Sequence, residues 1–131
     1  MATSPMPDHV KQLLAEPNAA VIATLRPDGQ PVTVATWYLF ENDRVLVNMS
    51  ASRKRLAYMR VDGRVSLTAL KQGNWGTHVS VQGRVAEWAD DPDLADIDRL
   101  STHYTGGSYP NRDDARVSAW IEIESWHAWG L

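Results

Sequence analysis

Alternation of apolar and polar residues is clearest over residues 77–86, where Thr77, Val79, Val81, Gly83 and Val85 share one face and His78, Ser80, Gln82, Arg84 and Ala86 the other. A period of two marks a β-strand in a sheet with unlike faces, and the glycine inside it predicts a bulge or a close backbone approach. Residues 64–70 alternate in the same way, with Val65, Leu67 and Ala69 on one side. The β-rich run 19–25 is followed by Arg26-Pro27-Asp28-Gly29-Gln30-Pro31, and Asp-Gly between two strand-like runs predicts a hairpin. Its second arm, 32–40, carries apolar residues on both faces and reads as a strand buried on both sides. The turn Glu41-Asn42-Asp43 leads into a strand over 44–50, so the chain is expected to open as a three-stranded antiparallel meander. A last strand is predicted over 117–128.

Three segments switch to helical spacing. Residues 7–16 start at Pro7, group Val10, Leu13 and Leu14, and stop at Pro17-Asn18. Residues 53–61 bring Leu56 and Met59 together, with Ser52 as the expected N-cap and Gly63 just past the end. A third helix is expected behind Asp90 or Asp91 as cap and Pro92 in its first turn, with Leu94, Ile97, Leu100 and Tyr104 on its apolar side. The polar, glycine-rich stretch 105–115 predicts a mobile loop. About six strands with three short helices, lacking a regular strand-helix alternation, favour a mainly β (α+β) antiparallel barrel over a doubly wound sheet.

Length and composition narrow the functional classes. The 131 residues suit a single domain, 1–131, and 44% hydrophobic residues suffice for one compact core. A formal charge of −3 argues against a general nucleic-acid binder, which needs a basic face to neutralise phosphates. The absence of cysteine excludes disulfide and thiolate chemistry. The start, MATSPMPDHVKQLL, lacks the charged and apolar parts of an export signal, and no apolar run approaches the roughly 20 residues needed to span a bilayer. A cytoplasmic location without a membrane partner is the expectation.

Against this acidic background, residues 53–64 hold Arg53, Lys54, Arg55, Arg60 and Arg64 and a single acid, Asp62. Basic side chains at a helix start oppose the helix dipole, so something negative should compensate them. A phosphate fits. Free backbone N–H groups, the hydroxyls of Ser50 and Ser52 and a guanidinium fork converge where strand meets helix. The alternative is a solvated basic helix that pairs with the acidic stretch 87–98. Six tryptophans beside one phenylalanine are a second anomaly, and Trp37, Trp75, Trp120, Trp126 and Trp129 all fall in or beside strands. They read either as planar walls for a planar ring or as ordinary packing. His9, His78, His103 and His127 lie far apart without metal-site spacing, so no metal is expected. No nucleophile elbow, Walker or dinucleotide motif is present, and a bound cofactor is expected to carry any difficult chemistry.

The order AAVIATLRPDGQPVTVATWYLFENDRVLVNMS, SRKRLAYMRVDGRVSL, VSVQGRVAEW and a closing WHAWG resembles the pyridoxamine 5′-phosphate oxidase-like split β-barrel superfamily over about residues 8–130. Within it, the short length and the Arg-x-Arg pair heading the helix look most like the group that uses the deazaflavin coenzyme F420. The resemblance implies a six-stranded split barrel and a homodimer with shared cofactor sites. It places the cofactor phosphate on Arg53 and Arg55, beside Lys54, Ser50 and Ser52. Thr36, Trp37 and Tyr38 would line the ring, with Asn48 on the neighbouring strand, and Lys71 and Trp75 would come from the partner subunit. Arg55 stands where the family commonly has lysine, and the C-terminal arginine and histidine motif of true pyridoxamine phosphate oxidases is missing, which argues against vitamin B6 oxidation. The implied activity is hydride transfer to a small unsaturated or conjugated substrate. FMN-dependent oxidation or reduction on the same fold is the alternative enzyme reading, and a non-catalytic cofactor carrier the third. Tyr38 and His78 are the only guesses for a proton donor, and the loop 105–115 is a candidate lid.

Overall fold

The computed structural model describes residues 5–131, in the order α1 (Asp8–Ala15), β1 (Ala19–Leu25), β2 (Pro31–Thr36), β3 (Leu39–Glu41), β4 (Arg44–Ser50), α2 (Lys54–Val61), β5 (Arg64–Leu70), β6 (His78–Asp90), α3 (Ala95–Thr105) and β7 (Arg116–Trp129). The strands form one antiparallel sheet ordered β2-β1-β5-β6-β7-β4-β3. The two edge strands, β2 and β3, are joined by Trp37 and Tyr38 alone. Three Cα–Cα steps span at most about 11 Å, so the opposite edges of the sheet must meet and the sheet must curl on itself. This covalent seam brings the two edges of the open sheet together, an arrangement consistent with a split barrel.

The seam also corrects the expected strand count. The predicted strand 32–40 is two strands, which makes seven among the described residues, and they serve opposite edges. β2 pairs with β1 from Ala20↔Thr36 to Leu25↔Pro31, whereas β3 pairs with β4 from Leu39↔Leu46 to Glu41↔Arg44. The three-stranded meander therefore does not form. Nor is the segment buried on both sides: β2 is exposed or only partly covered along its length. The Asp28-Gly29 hairpin is as expected, with Gly29 at φ 87 and the Arg26 N–H bonded to the Gln30 carbonyl at 3.0 Å.

Inside the barrel, alternate residues of β1, β4, β5, β6 and β7 meet in one core that includes Ile22, Val45, Val47, Met49, Leu67, Val79, Val81, Ala119 and Ile121. Val10, Leu13 and Leu14 of α1 and Leu56 and Met59 of α2 pack into the same core, which is why these short helices hold despite their length. Gly83 sits at a register shift between β6 and β7, where a Cβ would run into the Glu122 carbonyl, so the predicted close approach is real.

Helix boundaries differ from expectation at two caps. Arg53, not Ser52, occupies the N-cap of α2, without a side-chain cap bond, while the Ser50 and Ser52 hydroxyls pair at 3.1 Å. α3 starts at Ala95, later than the Asp-Pro signal suggests, because Leu94 takes a left-handed conformation (φ 60). Asp91 still satisfies the helix start from a distance, accepting the N–H groups of Asp96 and Ile97 at 3.1 and 3.0 Å.

Candidate functional site

On β4, Val45, Val47 and Met49 face the core, which leaves Leu46, Asn48 and Ser50 on the other side. On β7 the residues opposite these three are Trp120, Ser118 and Arg116. The outer face of this strand pair thus carries a polar row, Asn48 with Ser118 and Ser50 with Arg116, partly covered by α3. Beside it opens a cleft of about 1050 Å³, walled by Ala19 and Ala20 of β1, Ala35, Thr36 and Trp37 at the seam, Asn48, Ile97, Leu100 and Tyr104 of α3, the 70–75 loop, Tyr109 and Arg116.

Aromatic rings shape one wall of this cleft. Trp37 stacks on Tyr104 and meets Tyr109 edge-on at 6.1 Å, and the Arg116 guanidinium lies 4.9 Å from the centre of the Tyr109 ring. Tyr104 donates its hydroxyl to the Asn18 carbonyl at 2.7 Å, and burial pushes its phenol up to about 12. Of the stretch 105–115, expected to be mobile, Thr105 ends α3 and the remainder is clipped to that helix: Asp98 accepts from the Tyr109 N–H at 3.0 Å and from Arg112 at 2.6 Å. Both bonds hold the Asp98 carboxyl below the usual carboxylate range, Arg112 contributing most.

The cationic cluster lies at the strand-helix junction next to Arg116. The Arg53 N–H bonds the Ser50 carbonyl at 3.0 Å, and the Ala51 N–H bonds the Ala115 carbonyl at 2.8 Å, which ties the junction to the start of β7. Arg55 is partly buried and its Nε has no hydrogen-bond partner. Desolvation, then repulsion from Arg53 and Arg116, lowers the affinity of its guanidinium for its proton. Lys11, Arg26, Arg44, Arg64, Lys71, Arg84, Arg99 and Arg112 each reach an acid. Among the described residues Arg53, Lys54, Arg55, Arg60 and Arg116 do not. The acidic stretch 87–98 is engaged by other arginines, Arg44 at Glu87, Arg99 at Asp96 and Arg112 at Asp98, while Arg60 lies over the Trp88 ring at 4.6 Å. No basic residue of the 53–61 helix forms an ion pair with that acidic stretch among the described residues; Arg53, Lys54 and Arg60 are exposed to solvent and Arg55 is partly buried.

The expected site residues divide into two groups. Thr36, Trp37, Asn48, Lys71 and Trp75 of this chain all line this cleft. Lys71 is 3.7 Å from Glu16, and Trp75 stands 76% exposed at the rim. Ser50, Ser52, Arg53, Lys54 and Arg55 form the neighbouring junction. Tyr38 does not join either group. Its side chain turns into the core, fully buried, donating to the Leu14 carbonyl at 2.6 Å and accepting from the Asn18 amide at 3.0 Å, and burial raises its phenol far above the ordinary value. Its side chain therefore lies outside the cleft lining, unlike the ring-lining and proton-donor positions expected of it. His78 sits outside the cleft lining, with Nδ1 3.2 Å from the Trp75 carbonyl and its ring edge-on to His127. Sequence reasoning missed Arg116, Ser118, Asp91 and Tyr109. Alternation through Arg116, Ser118 and Trp120 could have marked an outward face, but nothing in the sequence paired it with Asn48.

Comparison with known proteins gives the class. Residues 6–130 match the pyridoxamine 5′-phosphate oxidase family, and the chain belongs to it. It is similar to the solved structure of an F420 reductase, with 22% identity and a TM-score of 0.84 over 93% of this chain and 98% of the other. A conserved hypothetical protein from Mycobacterium tuberculosis aligns at 22% identity and a TM-score of 0.74, covering 97% of this chain and 86% of its own. General stress protein 26 from Bacillus anthracis aligns at 13% identity and a TM-score of 0.69, over 93% and 92%. The sequence matches none of the curated proteins compared with it. No helix among the described residues is long and apolar enough to cross a membrane.

Proposed function

We propose that the chain is an oxidoreductase that binds the deazaflavin coenzyme F420 in this cleft and transfers a hydride from it to a small unsaturated or conjugated molecule. One observation carries the proposal: guanidinium groups without acid partners, one of them partly buried with an orphaned Nε, lie next to Arg116, which itself lines an aromatic-walled cleft. An uncompensated, partly desolvated guanidinium is costly unless an anion completes it, and a phosphate matches its fork. The residues present fit a ring carried on a phosphorylated arm. Arg53 and Arg55 would hold the phosphate, with Ser50, Ser52 and Lys54 beside them, and Thr36 and Trp37 would flank the ring. When bound, the coenzyme supplies the hydride chemistry. The chain's own part is to orient the ring and exclude water. The Tyr38 and Tyr104 hydroxyls are committed to main-chain carbonyls and do not supply the proton. The similarity to an F420 reductase supports the deazaflavin. FMN is the second reading, supported by the family itself, since its phosphate would satisfy the same seat.

Because β2 lies exposed and its Ala35 and Thr36 border the cleft, a second copy is proposed to cover it and complete a homodimer. The functional test is a titration of the protein with coenzyme F420, FMN and riboflavin, followed by quenching of tryptophan fluorescence. F420 should bind more tightly than FMN, and riboflavin, which lacks the phosphate, most weakly. Arg53→Ala with Arg55→Ala should weaken F420 and FMN and leave riboflavin unchanged; undiminished affinity would sink the phosphate seat. Tight binding without turnover on conjugated substrates would move the protein to the carrier class.

A further inference from the structure

The outer face of β4 and β7 contains a buried hydrogen-bond chain with a defined direction. The Asn48 amide nitrogen donates to Asp91 Oδ2 at 3.1 Å and to Ser118 Oγ at 2.9 Å. Both amide hydrogens are then used, so Oδ1 must face the other way, and it accepts the Arg116 Nε–H at 2.7 Å. Ser118 passes its own proton to Asp96 Oδ2 at 2.7 Å. Asp91 cannot turn away, since its carboxylate also accepts two N–H groups of α3. Asn48, Asp91 and Ser118 are all buried. The result is an amide locked in one orientation, its oxygen held on the Arg116 Nε–H.

The Arg116 fork is what this locking leaves available. Its Nε is committed to Asn48, its plane rests over Tyr109, and no acid reaches its terminal nitrogens among the described residues. It borders the cleft and stands directly across the strand pair from Ser50. We infer that Arg116 is a third member of the anion seat, and that Asn48, oriented by Asp91 and Ser118, is the residue that positions it. This inference rests on the phosphate reading above. It gives Asn48, expected on the sequence only as a cofactor-site residue on the neighbouring strand, a definite task, since its amide oxygen is spent on the arginine. A guanidinium pinned at Nε offers two parallel N–H groups to a phosphate with little rotamer entropy left to lose.

The test uses the affinity ratio of FMN to riboflavin, which isolates the phosphate contribution. Arg116→Ala should lower FMN affinity by about tenfold to a hundredfold, the worth of one lost charge-assisted contact, and leave riboflavin unchanged. Arg116→Lys should recover only part of the loss, because the charge returns without the fork or the Nε bond. Asn48→Ala should lower FMN affinity in wild type but have no further effect in the Arg116→Ala background. Ser118→Ala, which removes one of the two acceptors that orient the amide, should show the same dependence on Arg116 and serves if Asn48→Ala does not fold. Additive effects in either cycle, or an Asn48→Ala loss shared by riboflavin, would overturn the positioning role. If Arg53→Ala with Arg55→Ala changes the ratio and Arg116→Ala does not, the inference fails while the phosphate seat stands. If neither changes it, the seat itself fails.

Discussion

Trp37 lies face to face with Tyr104, their ring centroids 5.3 Å apart and their planes 13° from parallel. The pair fastens the two-residue seam between β2 and β3 to helix α3, and the Tyr104 hydroxyl extends the fastening by accepting the Tyr38 N–H at 3.3 Å and donating to the Asn18 carbonyl at 2.7 Å. The joint that closes the barrel is thus also a wall of the cleft, which couples the stability of the seam to the shape of the site.

Tyr104→Phe should destabilise the fold by about 1–3 kcal/mol in a denaturant titration, because it strands the carbonyl of buried Asn18. Burial raises the Tyr104 phenol from 10.0 to about 12, so the folded state favours its protonated form. That contribution is complete below pH 10 and is lost as pH rises through about 12. Alkaline titration of phenolate absorbance should show two late-ionising tyrosines, Tyr38 and Tyr104, of which only Tyr38 remains in the variant.

Gly83→Ala tests the close approach of β6 to β7. The added methyl would meet backbone rather than a movable side chain, so the two strands must separate locally. A loss of at least about 1–3 kcal/mol is expected from thermal or denaturant unfolding; a neutral substitution would mean that the bulge can absorb the methyl.

Asp98→Ala should release the 106–115 segment, since Asp98 accepts both the Tyr109 N–H and Arg112. Hydrogen exchange should rise from Gly106 to Ala115 while the sheet stays protected. In the native protein the depressed Asp98 carboxyl keeps this latch through neutral and mildly acidic pH and gives it up only as pH falls below the ordinary value of 3.8. Unchanged exchange in the variant would show that the latch is redundant.

Val21→Asp probes the proposed dimer. Val21 is 38% exposed on β1 and pairs with exposed Ala35 of β2, so a charge there should cost the single chain little and a buried interface much. Sedimentation should show a dimer for the native chain and a monomer for the variant. A monomeric native chain would remove the second copy from the functional proposal.

Much of the architecture was legible in local pattern. Alternation through Val79, Val81 and Val85, the Asp28-Gly29 turn and the helical spacing of Leu56 and Met59 are dictated by backbone geometry over a few residues, and each appears where the pattern puts it. The Arg53-Lys54-Arg55 cluster was legible too, because a helix start crowded with cations is an electrostatic misfit wherever it occurs. The tertiary structure alone decided the rest. Trp37 and Tyr38 adjoin in a run that reads as one strand, and only closure of the barrel makes them a seam that sends one ring into the cleft and the other into the core. Arg116 and Asn48 are 68 residues apart, and their bond exists because β4 and β7 pair in one register. Strand partnership and register are set by how all the inward faces share a single core, a global condition that no local stretch of sequence carries.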